Sequence, residues 1–541
     1  MYSVRELVRQ GLESPQVSYS LNPSQGKAVD IIYKAYEHNG VGLVQGPPGT
    51  GKTSVIVTSL ERLLNELDKN EVLVYVAPTN ELVKDVTLKV VPILREVLGY
   101  KNEEDIYKAI RIFGSDFDYR GASMARDPIN KDVKVILTTD YQKFYISYKE
   151  AESEGFSFSF LVDEASKSPI YRFLTPIAME LIRAEKMKTK RNISIDSLSV
   201  VGDPMQAIAK KDIYKTHREY LLMVNILRNM LLDIDPSLAD QLKDSSINLY
   251  DIIQQNSPIL SHLENFVMLD VTYRLPSPSH TIISKGFYSD RLSANEGVDK
   301  RLVYRDDLVK SIGSDFINSF EVARVINDAV ANEIGVVYID VKKSAYRDFQ
   351  GENIDRRRAY RAIEAAIAAS IVTGKSTTII PIYRDMTNYI KFVMKADDKY
   401  AKYVKALSAR NIEINVMTAH SLLGAEDNNV VLVLGKEYLP KGSDIYTSTM
   451  YFAEPEIFNV QFSRHKALLI IVGYLEKLYK TSYEISSDSK RCTLNSILKF
   501  NSNLLKNASE AALELCGFKI KDKSVIRGKN TDQCEIVEDE G

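Results

Sequence analysis

Residues 46–53 read Gly-Pro-Pro-Gly-Thr-Gly-Lys-Thr and run on into Ser54. A run of these types can grip a chain of phosphates. Gly46, Gly49 and Gly51 let the backbone wrap closely and turn its N–H groups inward, with Pro47, Pro48 and Thr50 completing the loop. Lys52 can reach the β- and γ-phosphates, and the Thr53 hydroxyl can hold Mg²⁺. A second set, Asp163-Glu164, ends the apolar run Phe160-Leu161-Val162. Asp163 would hold the same cation, and Glu164 would orient and deprotonate an attacking water. Acidic pairs also cap helices, so this pair alone is less specific than the loop. A third set, Gly202-Asp203-Pro204-Met205-Gln206, follows Leu198-Ser199-Val200-Val201. An amide such as Gln206 at a neighbouring strand end can sense the γ-phosphate and relay its loss. The chemistry implied is binding and hydrolysis of a nucleoside triphosphate.

Such groups need strands that end together and a helix that starts at the phosphates. Val41–Val44 suits a buried strand before the loop, and Ile56, Leu60, Leu63, Leu64 and Leu67 recur at helical spacing after it. Similar apolar runs follow at 72–76, 133–137, 158–162 and 198–201. A second block holds runs at 336–341, 377–380, 412–416, 430–434 and 468–472. Runs this apolar, separated by helical patterns, predict parallel sheets covered on both faces. The fold class is therefore α/β, with two doubly wound parallel-sheet domains in tandem. Boundaries are expected at 1–268 and 269–475, with a helical insert at about 207–267. A C-terminal extension at 476–541 is expected to be a short helical segment with a loose acidic end, Glu538-Asp539-Glu540.

Composition bounds the rest. A chain of 541 residues is too long for one core. Hydrophobic content of 45% and charged content of 26% are those of an ordinary globular protein. No apolar run is long enough to span a bilayer and no secretory signal opens the chain, so an intracellular, cytoplasmic location is expected, the nucleus not excluded. A net charge of −2 neither supports nor excludes a nucleic-acid partner, because binding follows local charge. Cys492, Cys516 and Cys534 give neither a zinc pattern nor a disulfide framework, and the scattered histidines suggest no structural metal.

The segment 202–206 resembles motif III of superfamily 1 helicases, where Gly-Asp-x-x-Gln is usual, and further motifs follow in order. Leu21-Asn22-Pro23-Ser24-Gln25 resembles the Q motif, which implies that Gln25 reads the adenine edge. Ala77-Pro78-Thr79-Asn80 resembles motif Ia and Ile136-Leu137-Thr138-Thr139 motif Ib, implying nucleic-acid contacts by Thr79, Asn80, Thr138 and Thr139. Thr272-Tyr273-Arg274 resembles the motif in which the Tyr stacks on adenine and the Arg reaches the phosphates. Ile380-Pro381-Ile382-Tyr383 resembles motif IV, so Pro381 and Tyr383 join the nucleic-acid set. Met417-Thr418-Ala419-His420-Ser421 with Gly424 and Glu426 resembles motif V, adding Thr418 to that set and Glu426 to the nucleotide site. Residues 459–466 resemble motif VI, with Arg464 as arginine finger. The order is closest to the 5′→3′ branch, in the group of the nonsense-mediated-decay RNA helicase and the immunoglobulin-mu-binding helicase. This implies two RecA-like domains, ATP and Mg²⁺ as cofactors, and a nucleotide between the two domains.

The resemblance implies a monomeric helicase or translocase that moves 5′→3′ on single-stranded DNA or RNA and unwinds tailed duplexes, without a membrane partner. The alternative is a nucleic-acid-stimulated ATPase that remodels nucleoprotein complexes without processive unwinding. Small hydroxyl and amide side chains suit phosphate contacts and helix caps equally well, and Tyr383 could stack on a base or pack in the core. Departures stand out: Lys167 where relatives carry Gln, Leu423 and Ala425 around Gly424, and Ser463 and His465 beside Arg464. Little chain precedes Leu21, so the β-barrel placed there in the decay helicase is not expected.

Overall fold

The computed structural model describes residues 1–539 apart from 141, 143–145, 147–154, 168–169, 188–191, 207–263, 299–300, 343–352, 422–425, 438–449, 488–495 and 529–530. The chain divides into two compact units, Met1–Leu269 and Asp270–Gly541. Most of the expected insert at 207–267 lies outside the described residues. No described helix is long and apolar enough to cross a membrane.

The first unit is built on β1 (Val41–Gln45), β2 (Glu71–Ala77), β3 (Ile110–Phe113), β4 (Val135–Thr139), β5 (Phe156–Asp163), β6 (Ile193–Gly202) and β7 (Phe266–Met268). They form one seven-stranded sheet in the order β3-β4-β2-β5-β6-β1-β7, with every neighbouring pair parallel. All of Val41–Gln45 and all of Val135–Thr139 are buried, as strands covered on both faces must be. Helix α1 (Pro23–Glu37) starts at a capping box in which Asn22 and Gln25 satisfy each other's backbone N–H, with Pro23 fitting the first turn. Helix α2 (Lys52–Glu66) follows Gly51, whose φ of 79° is left-handed. Helix α3 (Asn80–Leu98) is capped by Thr79 and ends on Gly99, also left-handed.

The second unit holds β8 (Val336–Asp340), β9 (Thr377–Pro381), β10 (Ile414–Val416), β11 (Asp427–Val433), β12 (His465–Gly473) and β13 (Glu535–Glu538). Their order is β10-β9-β11-β12-β8-β13, again parallel throughout. Helix α4 (Arg356–Thr373) is apolar almost all round and lies within this core, between the Asp355 cap and left-handed Gly374. Its one fully buried cation, Arg358, is held by Glu437 and by the carbonyls of Leu434 and Gly435.

Three strands and one covalent link depart from the sequence reading. β3 escapes a hydropathy scan because Arg111 interrupts it, yet that guanidinium is buried and donates to the carbonyls of Tyr107, Ile110 and Asp127. β7 falls in a stretch expected to be helical; its three residues pair instead with Leu43–Gln45. The tail at 535–539 is not loose: β13 pairs with β8, and Asp539 is buried against Arg357 and Arg361. Cys516, at the end of helix Ser496–Leu515, forms a disulfide with Cys534, which immediately precedes β13. Their separation of 18 residues carries no local signal, and the return of the chain to the sheet edge brings them together.

Burial works against the Asp539 charge, but hydrogen bonds from Arg357 and Arg361 outweigh it and hold the carboxyl below its usual range. Its stabilising contribution is therefore complete above about pH 4, the unfolded value, and is lost as pH falls through the lower folded value. Asp539→Asn is expected to lower the melting temperature at pH 7 and to shrink the wild-type–variant gap on acidification, measured by calorimetry between pH 7 and pH 3. A gap that widens toward low pH contradicts this reading.

Candidate nucleotide site

The parallel register sets three strand ends level. Gln45 of β1 lies opposite Gly202 of β6, and Asp163 of β5 lies opposite Val201 of the same strand. β6 thus stands between the strand that feeds the phosphate loop and the strand that ends in Asp163. Chain direction diverges at β1, with β2 on one side and β7 on the other, so the C-terminal edge here is a switch point of the kind that binds ligands in open parallel sheets.

The loop is closed on itself. Gly49 and Gly51 both take left-handed φ, 74° and 79°. A Cβ on Gly46 would stand 2.4 Å from Lys52 Cγ, so only glycine lets the lysine fold back over the loop. Lys52 Nζ donates to Gly46 O at 2.9 Å and lies 3.5 Å from Glu164 Oε1. Thr50 Oγ1 donates to Pro47 O. Gln25 is 3% exposed: its Oε1 accepts from Asn22 N, and its Nε2 donates to Thr50 O at 2.9 Å. The amide that the resemblance assigns to the adenine edge thereby also braces the loop.

Glu164 sits on a left-handed backbone, φ 47°, an uncommon state for a residue with a Cβ. Asp163 beside it is buried, accepting from Tyr75 OH at 2.9 Å and from Glu164 N at 2.8 Å. Burial and the Glu164 charge push Asp163 up to about 6, while Lys52 pulls the other way. A buried carboxylate so burdened by a like charge fits a divalent cation, and Thr53 at the start of α2 with Asp163 would hold Mg²⁺. Tyr75 itself is pushed well up by burial and by Asp163. Nothing in sequence singled Tyr75 out; it reads as core in the run at 72–76.

The third set packs on the second. A Cβ on Gly202 would stand 2.8 Å from Ala165 N and 3.3 Å from Glu164 C, so the end of β6 touches the backbone that carries Glu164. Gln206 Nε2 donates to Asp203 Oδ2 at 2.8 Å, and Gln45 Nε2 reaches Asp203 Oδ1 at 3.5 Å. Asp203 is wholly buried and orients the Gln206 amide.

Within the second unit, Arg274 Nε and Lys466 Nζ each lie 2.5 Å from a different oxygen of Glu426. Burial opposes that carboxylate, yet Arg274 and Lys466 together hold it below its usual range. Arg274 Nη1 also donates to Ser463 O at 3.3 Å. Glu426, assigned to the nucleotide by resemblance, thus brackets Arg274. Arg464 is 3% exposed, in the turn between helix α5 (Glu456–Phe462) and β12. Gln461 fastens that helix, donating to Ile380 O at 2.8 Å and Val433 O at 3.2 Å. His465 Nε2 meets Ser279 Oγ at 2.6 Å; burial and Arg274 push the imidazole down to about 3, so it stays neutral beside the arginines. Tyr273 is partly buried, and its carbonyl accepts from Arg301.

The residues expected at nucleic acid divide. Thr138 and Thr139 are buried at the end of β4, and Pro381 is buried at the end of β9. Thr79 accepts from Leu82 N as a helix cap, and Asn80 Nδ2 donates to Ser115 Oγ. Tyr383 is partly buried against the second core, and Thr418 Oγ1 pairs with Ser421 Oγ. Gly424 lies outside the described residues.

The first unit's loop, carboxylate pair and sheet order define a P-loop nucleoside triphosphatase. Two family models, both described as AAA domain, match residues 20–149 and 249–476, together more than half of the chain. The chain belongs to that family, in its superfamily 1 helicase branch. It is similar to helicase sen1 of Schizosaccharomyces pombe, with 32% identity over 109 residues, which is 17% of this chain and 6% of that protein. The chain thus spans a small fraction of the curated relative's length. A solved structure of the Sulfolobus solfataricus SWI2/SNF2 ATPase core domain is similar at 11% identity, covering 85% of this chain and 87% of that one with a TM-score of 0.27. The fold rests on the strand order above.

Gly202→Ala is expected to destabilise the first unit by about 1–3 kcal/mol by overpacking against the 164–166 backbone and to slow nucleotide turnover. Gly26→Ala, in a helix with nothing within 4 Å of the added Cβ, is the control; it should stabilise by roughly 0.5–1 kcal/mol. Denaturant titration of both variants measures the difference, and equal stabilities would refute the contact.

Proposed function

We propose that this chain is an ATP-driven translocase and helicase that moves 5′→3′ on single-stranded nucleic acid and unwinds DNA or RNA duplexes with a single-stranded tail. The observation that carries the chemical half is the level set of strand ends at which Lys52, Asp163-Glu164 and Gln206 meet. Lys52 binds the β- and γ-phosphates. Asp163 and Thr53 hold Mg²⁺, which when bound neutralises charge on the phosphate oxygens. Glu164 orients the attacking water and takes its proton. Gln206, steadied by Asp203, senses the γ-phosphate. Arg274 and Arg464 supply guanidinium charge to the same phosphate, and Tyr273 and Gln25 favour adenine. Thr79, Asn80, Tyr383 and Thr418 are the candidates with side chains nearest to reach of a strand; Thr138, Thr139 and Pro381 would contribute through their backbone. The chain acts as a monomer inside the cell, since every residue named lies in one polypeptide.

Lys52→Ala should abolish turnover, and Glu164→Gln should do so while ATP binding is retained. Arg464→Ala should lower kcat by about 10³-fold or more, as removal of an arginine finger does. Strand displacement on 5′- and 3′-tailed DNA and RNA duplexes tests the motor: unwinding only of 5′-tailed substrates is expected. ATP hydrolysis stimulated by single strands without unwinding would favour the remodelling ATPase instead, and hydrolysis indifferent to both DNA and RNA would remove the helicase reading.

A further inference from the structure

Immediately after Glu164 the chain makes a 3₁₀ turn, Ala165–Lys167, closed by Lys167 N donating to Glu164 O at 2.9 Å. The turn folds the Lys167 side chain back, so that its Nζ lies 3.0 Å from Glu164 Oε2. Both partners are shielded, with side chains 11% and 15% exposed. The other oxygen, Oε1, faces Lys52 at 3.5 Å. Glu164 therefore has an ammonium on each side. The two are not equivalent. Lys52 belongs to the phosphate loop, and a triphosphate with its greater charge would draw it off Glu164. Lys167 belongs to the same turn as Glu164 and stays with it.

We propose that Lys167 is a positioning residue that restrains Glu164 and keeps ATP turnover low until the turn is moved. This rests on the assignment of Glu164 as the group that handles the attacking water. A base needs an oxygen lone pair aimed at the water it deprotonates. A shielded ammonium 3.0 Å from Oε2 attracts that oxygen electrostatically, competes with the water for it and restrains the carboxylate's rotation. Movement of the turn is coupled to β6: Gly202 packs directly on the backbone of Ala165 and Ser166, and the Asp203–Gln206 segment continues from it. A shift of that segment on nucleic-acid binding would carry the Lys167 turn with it and free Glu164.

The test compares the 541-residue chain with its K167Q and K167R variants. Binding of a fluorescent ATP analogue with Mg²⁺ shows that each variant is folded and keeps its nucleotide affinity. K167Q is expected to bind within about two-fold of wild type, to raise kcat without nucleic acid several-fold with KM little changed, and so to reduce the stimulation by a single-stranded oligonucleotide. K167R, which restores the charge, should suppress turnover again. In nucleotide-free protein, E164Q should also speed acylation of Lys167 by an amine reagent, read by peptide mass spectrometry. A K167Q kcat equal to or below wild type, or K167R turning over like K167Q, overturns the restraint. The two readings separate. A chain that neither DNA nor RNA stimulates, but that K167Q activates, keeps the restraint and loses the helicase. A stimulated chain that K167Q leaves unchanged does the reverse.

Discussion

Two adjacent carboxylates stand at the buried end of one strand, and their charges cannot persist there uncompensated. Removing a carboxylate from water costs several kcal/mol even after relaxation, and here Asp163 and Glu164 add mutual repulsion. The first unit answers with backbone and cations: Tyr75 and the Glu164 N–H on Asp163, Lys52 and Lys167 on Glu164. The arrangement of the sheet follows from that need. Lys52 can serve only if the phosphate loop opens beside the end of β5, and the parallel order with β6 between them sets that spacing. The same arrangement leaves a pair of negative charges open to a metal ion and a positive loop open to phosphate.

The second unit solves a mirrored problem with clustered cations. Arg274, Lys466 and Arg464 are concentrated around one turn, where repulsion would push the chain apart. Glu426 brackets Arg274 and Lys466, and His465 is held neutral by burial. Gln461 ties the helix before Arg464 to the ends of β9 and β11. The Arg274 guanidinium is therefore held by acceptors, and Arg464 is buried beside it, rather than left to solvent. Rigid donors of fixed geometry suit recognition of phosphate better than mobile ones, because less rotamer freedom is lost on binding.

Much of this was legible from residue order. Ten apolar runs named strands that the structure contains, because a strand buried on both faces must be apolar along its whole length. The phosphate loop was legible because glycines, lysine and threonine are each demanded by one local geometry. What escaped was held by partners remote in sequence. β3 is broken by an arginine that finds carbonyls only after folding. β13 is acidic and short, and becomes a strand because Arg357 and Arg361 receive Asp539. Cys516 and Cys534 looked unrelated until the chain's return to β8 brought them together. Thr138 and Thr139 have side chains suited to a strand of nucleic acid, yet their place in β4 buries them.

The sequence by itself determined the chemistry on offer: a phosphate loop, an acidic pair, a strand-end amide and two arginines, in an order with few alternatives. It did so because those functions rest on residue type and on spacing within a few positions. The tertiary structure alone decided which groups face one another. That the turn at 164–167 packs beneath Gly202 depends on β6 ending beside β5; that Tyr75 steadies Asp163 depends on β2 and β5 lying side by side; that Glu426 holds Arg274 depends on the chain returning to Arg274 at the start of β11. Electrostatic pairing falls steeply with distance and with hydration. No sequence spacing encodes either, so these interactions exist only once the sheets have formed.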